Sequence, residues 1–450
     1  MKRGLRLSLA VAAAATAVCS AQATEGYFQA GYGTVQKGVA GAGVANPEDA
    51  MSQTINPASI VDLPQMITLG ATAFMPFRGY TAVGPGFVAP GGPFSGSLQS
   101  NSNFFLMPNV AYSSPIDRDT AWGVALYGNG GMNTNYPNVV NAMGGFIPGC
   151  AGVYCAGATG VDLKQMFLSA SVAKRFGALT VGIAPTMAMQ MFSAKGLGFF
   201  AFPTGAPAGF SYSANPWNMT NNGVDTSFGI GVRAGAELKV TDTLRIGVAG
   251  SSPMYMTPFS RYAGLFADGG RFNIPGWMTI GVAFDALPTL TLMGEYKRIF
   301  YSSVGAIANP SAGIMYGVRM GQGGGPGFGW RDVNVFTAGV EWRATRDLTL
   351  RAGYAHNTNP IRAQDVTFNI LAPGVVTDHI SGGASYNVSE NSKLDLAVTY
   401  VPKHSVIGPE VTPNGVNWAR GIDISMRQWE VSVGYSHKFG AKPTPVVAKY

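Results

Sequence analysis

The residues able to do chemistry in this chain are few and scattered. Its four histidines, His356, His379, His404 and His437, are isolated, with no metal-ligand spacing among them, so no metal and no cofactor is expected. No Gly-x-Ser-x-Gly occurs. The glycine-rich stretch 31–43 lacks the Lys-Ser/Thr of a phosphate-binding loop, and no helix pattern follows it. Asp117-Arg118-Asp119 reads as a solvated turn. No catalytic residue is assigned, and the protein is not expected to be an enzyme. What remains is a cysteine pair. Beyond an N-terminal leader that contains Cys19, only Cys150 and Cys155 are left, close together in one glycine-rich stretch. They are expected to form a local disulfide, which places the protein in an oxidising compartment.

The other unusual chemistry is apolar. Segment 193–224 carries Leu197, Phe199, Phe200, Phe202, Phe210, Tyr212, Trp217 and Met219, and segment 257–273 carries Phe259, Tyr262, Leu265, Phe266 and Phe272. Connecting segments are normally polar, so this much apolar surface marks either a landing groove for apolar ligands or loops folded on each other as a lid, and the two are compatible. Leu197, Phe199, Phe200, Phe202, Phe210, Trp217, Phe259, Leu265 and Phe266 are the candidate capture residues.

These segments must be held by strands. Short polar turns at 115–119, 176–178, 240–243, 285–288, 344–347 and 388–392 alternate with long connections near 78–102, 130–161, 193–224, 257–273, 302–331, 356–376 and 402–425. Thirteen connections join fourteen strands, and this alternation is the signature of an outer-membrane barrel. The strands show a period of two. Phe228, Ile230, Val232 and Leu238 alternate with Ser227, Arg233, Glu237 and Lys239; Trp429, Val431, Val433 and Tyr435 alternate with Gln428, Glu430, Ser432 and Ser436. Such alternation suits a wall with lipid on one face and a polar lumen on the other. The expected fold is all-β: a 14-stranded antiparallel transmembrane β-barrel with an N-terminal hatch as a plug inside its lumen.

Composition and ends agree. Residues 1–23 have a basic start, an apolar stretch and Ala21-Gln22-Ala23, the pattern of a cleaved signal peptide. Only 12% of residues are charged, 61 are glycine, and the net charge of +7 is spread without a basic run, so nucleic acid is not an expected partner. The expected organisation is signal peptide 1–23, hatch 24–65, barrel 66–440 and tail 441–450. A fourteen-stranded lumen is too wide for wall side chains alone to fill. Residues 24–65 show little alternation but carry Tyr27, Phe28, Tyr32, Val35, Val39, Val44, Met51, Ile55 and Ile60, which a solvated tail has little use for.

The same segment holds Gly38-Val39-Ala40-Gly41-Ala42-Gly43-Val44-Ala45, Glu48-Asp49-Ala50 and Asn56-Pro57-Ala58-Ser59-Ile60. It resembles the N-terminal hatch of the FadL family of outer-membrane transporters for long-chain fatty acids and aromatic hydrocarbons. Tyr127-Gly128-Asn129-Gly130-Gly131-Met132-Asn133-Thr134-Asn135-Tyr136 is similar to the end of that family's third strand, and residues 262–275 to its fourth extracellular loop. One feature departs: Phe439 looks like the closing aromatic residue of the last strand, yet eleven residues follow it.

The resemblance implies a hatch built around Gly41, Gly43, Asn56, Pro57 and Ala58, and ligand capture by apolar loops. It also implies sideways release through a gap at Gly128, Asn129, Gly130 and Gly131, where glycines suit a bulge. The implied partners are a hydrophobic small molecule, outer-membrane lipids with lipopolysaccharide, and the barrel-assembly machinery, with the protein a monomer in the bacterial outer membrane. Lumen-facing Arg233, Lys297 and Arg351 are candidates to meet a fatty carboxylate, although Glu237, Glu295 and Glu341 explain them equally well. The competing reading is a water-filled channel for small polar solutes with the N-terminal segment as a movable constriction. A third is an adhesin or phage receptor working through its long loops.

Overall fold

The computed structural model describes residues 25–84, 96–140, 150–203 and 206–440; the expected signal peptide 1–23 and tail 441–450 lie outside them. Fourteen antiparallel strands form the wall: β1 (Met66–Val83), β2 (Phe105–Pro115), β3 (Thr120–Asn133), β4 (Gly160–Phe176), β5 (Leu179–Lys195), β6 (Asp225–Lys239), β7 (Leu244–Ser251), β8 (Trp277–Leu287), β9 (Leu290–Ile299), β10 (Val333–Arg343), β11 (Leu348–Asn357), β12 (Asp378–Ser389), β13 (Ser392–Thr412) and β14 (Gly415–Lys438). Each pairs with its sequence neighbour, and β14 returns to β1 from Met66↔Lys438 to Val83↔Gly421, which closes the sheet. Closure removes the open edges a sheet would otherwise present to lipid. No helix among the described residues is long and apolar enough to cross a membrane.

The alternation in sequence becomes the two faces of the wall. Phe228, Ile230, Val232 and Leu238 of β6 are exposed on the outer face, whereas Ser227, Arg233 and Glu237 between them are buried in the lumen. The same holds on β13, where Leu394, Leu396 and Val398 point out and Asp395, Ala397 and Thr399 point in. Phe439 follows the last strand, donates its N–H to Gln65 O at 2.8 Å and packs on Tyr112 and His437.

One expected loop is not a loop. Residues 402–425 continue β13 and β14 as a long hairpin that turns at Pro413-Asn414, with Thr412 opposite Gly415. Two register irregularities, between Val401 and His404 and between Pro409 and Glu410, absorb Pro402 and Pro409 without ending the ladder. The first connection also starts later than expected, since β1 runs to Val83.

Residues 25–65 fill the lumen. They form three short helices, Thr34–Gly38, Ala50–Thr54 and Pro57–Asp62, and nearly all of their side chains are buried. Their polar groups reach the wall on many sides. Lys37 Nζ meets Glu430 of β14 at 2.5 Å, and Arg351 of β11 meets Glu48 at 3.3 Å. Gln53 Nε2 donates to Tyr112 O of β2 at 3.2 Å, and Ala50 N donates to Thr68 Oγ1 of β1 at 3.3 Å. A segment so tied cannot be a periplasmic tail; the lumen is its solvent.

Candidate functional site

The hatch residues singled out in the sequence hold its shape. Gly41 has φ +95° and faces Ala30 so closely that a Cβ would strike the Ala30 carbonyl. Its N–H donates to Gln36 O at 2.8 Å. Gly43 N and Val44 N donate to one oxygen of Glu295 on β9, at 2.9 and 3.1 Å. Asn56 caps the helix Pro57–Asp62: its Oδ1 accepts from Ala58 N at 3.0 Å, and Pro57 starts the first turn, where its missing N–H costs nothing. Asn56 Nδ2 meanwhile donates to Val44 O at 2.8 Å and Ala236 O of β6 at 3.2 Å, so one amide joins helix, hatch loop and wall. Burial pushes the Asp49 carboxyl up to about 6, against the pull of Lys393; it still caps Ala50–Thr54 by accepting from Met51 N at 2.8 Å.

Around Gly128, Asn129, Gly130 and Gly131 the wall changes character. Pairing between β2 and β3 stops at Asn109↔Tyr127, although β3 continues to Asn133. Pro108, with no N–H to offer a ladder, stands just past the last pair. On its other edge β3 stays paired with β4, with a shift of one residue at Asn129 (Gly128↔Met166, then Gly130↔Gln165). From Asn129 through Thr134 every residue is buried, so the in-and-out alternation is lost. The freed edge is taken by the start of the hatch. Phe28 bridges Gly130, Gly131 N donates to Tyr27 O at 3.3 Å, and Gln29 Nε2 donates to Gly128 O at 2.8 Å. Tyr32 Oη reaches Asn129 Oδ1 at 3.0 Å.

The loop aromatics divide into two groups. Phe202, Phe210 and Trp217 are exposed, Trp217 at 76%, with Phe202 and Trp217 ring to ring at 4.6 Å. Leu197, Phe199, Phe200, Phe259 and Phe266 are buried, and Leu265 packs partly buried against them. Leu197, Phe200, Leu265 and Phe266 line an apolar cavity of about 50 Å³ together with Tyr154 and Phe328. That is smaller than the ~150 Å³ that admits benzene in an engineered apolar cavity, so side chains must shift for a ligand to enter. Cys150 and Cys155 are disulfide-bonded, and the loop they close presents Tyr154 to the cavity, its hydroxyl donating to Thr367 O at 2.7 Å.

Sequence reasoning missed what lies beneath. Phe266 contacts Phe272 at 4.9 Å, Phe272 contacts Tyr27 at 6.3 Å, and Tyr27 packs on Tyr301 and Trp330 at 5.3 and 6.1 Å. An unbroken aromatic column thus leads from the loop cavity to the hatch residues lying against Gly130. Tyr27 and Phe28 had stood out only as plug residues. Tyr301, Phe328 and Trp330 lie in a connection with no local pattern to mark them.

The three cations singled out in the sequence, Arg233, Lys297 and Arg351, are not equivalent. Lys297 is paired with Glu25 at 2.8 Å, and Arg351 with Glu341 at 2.7 Å and Glu48. Arg233 is fully buried and meets no carboxylate among the described residues. Its Nη1 donates to Tyr127 Oη at 2.6 Å, and its guanidinium lies over the rings of Tyr127 and Trp277. Burial pushes the Glu25 carboxyl above its ordinary range while Lys297 pulls it back. No cluster of metal-ligating side chains occurs among the described residues.

Comparison with known proteins gives the same architecture. The structure superposes on the toluene transporter TbuX of Ralstonia pickettii with a TM-score of 0.60 at 17% identity, covering 91% of this chain and 99% of that one. A FadL homologue of Pseudomonas aeruginosa gives 0.65 at 17% identity over 92% and 100%. The P. putida toluene transporter TodX gives 0.62 at 17% identity over 92% and 99%. No curated protein matches the sequence significantly. Residues 10–412 match the family described as outer membrane protein transport protein (OMPP1/FadL/TodX), and with a closed fourteen-stranded wall around an N-terminal hatch, the chain belongs to that family of outer-membrane transport proteins.

Proposed function

We propose that this barrel imports hydrophobic small molecules, long-chain fatty acids or aromatic hydrocarbons, and releases them sideways through its wall. The observation that carries this reading is the end of the β2–β3 ladder at Asn109↔Tyr127, with the freed edge of β3 held by Phe28 instead of a strand. Ligand is captured at Phe202, Phe210 and Trp217, enters the cavity beside Phe200 and Phe266, and follows the aromatic column to Tyr27. It leaves between β2 and β3 at 128–131. The signal peptide 1–23 is removed on export, and one barrel suffices, since the route is internal. Two solved neighbours are named as toluene transporters, which supports an apolar cargo. A water-filled channel fits less well, because the hatch is bonded to the wall at β1, β2, β6, β9, β11 and β14.

One observation favours an acid over a hydrocarbon. Arg233 is a buried cation that meets no carboxylate among the described residues, and such a charge is costly unless something compensates it. A fatty carboxylate would do so beyond what Tyr127 and Trp277 supply.

The test fills the gap. Replacing Gly130 and Gly131 by valine favours regular strand geometry and adds bulk where Phe28 approaches. Uptake of labelled hexadecanoate and toluene should stop in cells carrying equal amounts of folded barrel. Phe202→Ser with Trp217→Ser should instead weaken capture and leave release intact. Wild-type uptake by the double-valine barrel would leave an axial path past the hatch as the better reading.

A further inference from the structure

The outer face of β13 and β14 is apolar up to one height. Leu394, Leu396 and Val433 are exposed there, and the band ends in an aromatic pair, Tyr400 against Trp429 at 4.5 Å. Tyrosine and tryptophan in such a place mark the boundary between hydrocarbon and headgroups. These two lie on the side of the long hairpin, hence at the outer leaflet. One rung further out, where β1 meets β14 at Phe77↔Arg427, the wall presents charge.

Two cations stand side by side at that rung. The ladder between β13 and β14 runs Val401↔Gln428 and then His404↔Met426, so Arg427 stands opposite the irregularity Pro402-Lys403. The irregularity sets the direction of Lys403. Tyr400 points out and Val401 in, and a regular strand would turn residue 403 into the lumen. The extra residue reverses the alternation. Lys403, Ser405 and Ile407 become the exposed positions, with Ser405 facing Ser425. Arg427 is exposed too and lies over the Phe77 ring at 5.0 Å, which steadies its guanidinium.

Other outward cations at this end of the wall have acids of their own. Lys164 of β4 pairs with Asp162 at 3.1 Å, Arg298 of β9 with Asp332 at 3.0 Å, and His356 of β11 with Asp378 at 2.9 Å. Lys403 and Arg427 meet no carboxylate among the described residues. Asp378, on neighbouring β12, is held by Tyr354 Oη at 2.5 Å and by His356. Asp423 stands four residues along β14, about 13 Å at the usual rise of a strand. Like charges at facing positions of paired strands repel. A pair of them fixed at the lipid boundary, one aimed there by a bulge, calls for an anion.

We propose that Lys403 and Arg427 form an outer-leaflet site for a phosphate group of an acylated, phosphorylated disaccharide, a lipid of the lipid A type. The guanidinium fork takes two phosphate oxygens and the ammonium supplies a point charge. Ser405 and Ser425, just above, offer hydroxyls to the sugar, and the acyl chains lie down the face below Tyr400 and Trp429. The site is on the outside of the wall and independent of the transported cargo. A lipid held there anchors the base of the long hairpin to the membrane.

Titration of the full barrel, purified in mild detergent, with bisphosphoryl lipid A tests it, the bound lipid being counted by native mass spectrometry. Wild type should retain the lipid at a concentration at least about tenfold below that needed by the Lys403→Gln, Arg427→Gln double variant, because charge-assisted bonds to phosphate are lost. Lys403→Arg should bind as wild type does. Arg298→Gln, which removes an outward cation that has its own carboxylate, should change nothing. Lipid A stripped of both phosphates should bind wild type no better than it binds the double variant. Millimolar inorganic phosphate should not displace the lipid. Equal retention by wild type and the double variant overturns the proposal. So does equal retention of the stripped lipid, or an equal loss in Arg298→Gln. Displacement by inorganic phosphate overturns it as well, since the site would then hold any small anion.

Stability gives a second reading. A ligand that binds only the folded state stabilises it. Bisphosphoryl lipid A should raise the unfolding temperature of wild type and leave that of the double variant unchanged. Equal rises in both would mean that the lipid acts through its chains alone, and the phosphate site would fall.

Discussion

Asn56 shows how much of the hatch hangs on single side chains. It caps one helix, holds the Val44 carbonyl and reaches the wall at Ala236. Asn56→Ala should cost the hatch about 1–2 kcal/mol, the usual range for a lost cap, while the barrel stays heat-resistant. The expected sign is a raised background ion current in planar bilayers; a current equal to wild type would mean the neighbouring contacts suffice without it. Arg233 permits a sharper contrast. Arg233→Met removes the charge and keeps much of the bulk between Tyr127 and Trp277, so hexadecanoate uptake should fall by about tenfold or more, a loss in the range of a hydrogen bond to a charged group. Toluene uptake should change little. Equal effects on the two cargoes would reduce Arg233 to a packing residue.

At the scale of elements, the disulfide loop and the long hairpin carry separate lessons. Cys150 and Cys155 are five residues apart, so their bridge restricts a short loop by about 2 kcal/mol on the loop-entropy scale. It lies outside the strand ladders. Reduction should therefore leave the unfolding temperature of the barrel within a degree or two, since ~1 kcal/mol moves Tm by only a few degrees in domains smaller than this. It should instead loosen Tyr154 at the roof of the cavity, seen as faster hydrogen exchange near 150–155; a large fall in unfolding temperature would show that the loop supports the wall. The hairpin marks where the sequence was misread. Period-two runs such as Phe228 to Leu238 sit between polar turns and gave their strands directly. Residues 402–425 contain Pro402, Pro409 and Pro413 and look broken, yet the irregularities at Val401/His404 and Pro409/Glu410 let pairing resume. The two-residue turn before Gly415 was the available clue. The burial of Phe199, Phe200, Phe259 and Phe266 was not legible, because a loop's composition does not say which of its aromatics face one another. Nor was the bridge from Phe28 to Gly130, which joins residues a hundred positions apart and depends on β2 ending its pairing at Asn109.

For the whole molecule, barrel and hatch divide the work between an inert wall and a bonded plug. The wall is stable because its ladder closes on itself, β1 on β14, and relies on the plug for hydrogen bonds mainly along the freed edge of β3. The lumen wall itself is polar: Glu295, Glu341, Arg351 and Glu430 all face inward and are buried, with Glu295, Arg351 and Glu430 bonded to the hatch at Gly43, Glu48 and Lys37. Removing residues 25–65 should expose a charged, water-filled bore, not unfold the barrel, because the exposed charges gain water in place of hatch partners. The expected result for a chain lacking residues 25–65 is a heat-resistant barrel with large, steady single-channel currents, at least about tenfold above wild type, as wide barrels leave an aqueous channel when nothing plugs them. Gly130→Val with Gly131→Val in that background should leave the current unchanged, since ions then pass along the axis and do not use the wall. A hatchless barrel that conducts no more than wild type would mean the extracellular loops, closed over Phe200, Phe266 and Phe328, are themselves the seal, and the hatch would then serve release alone.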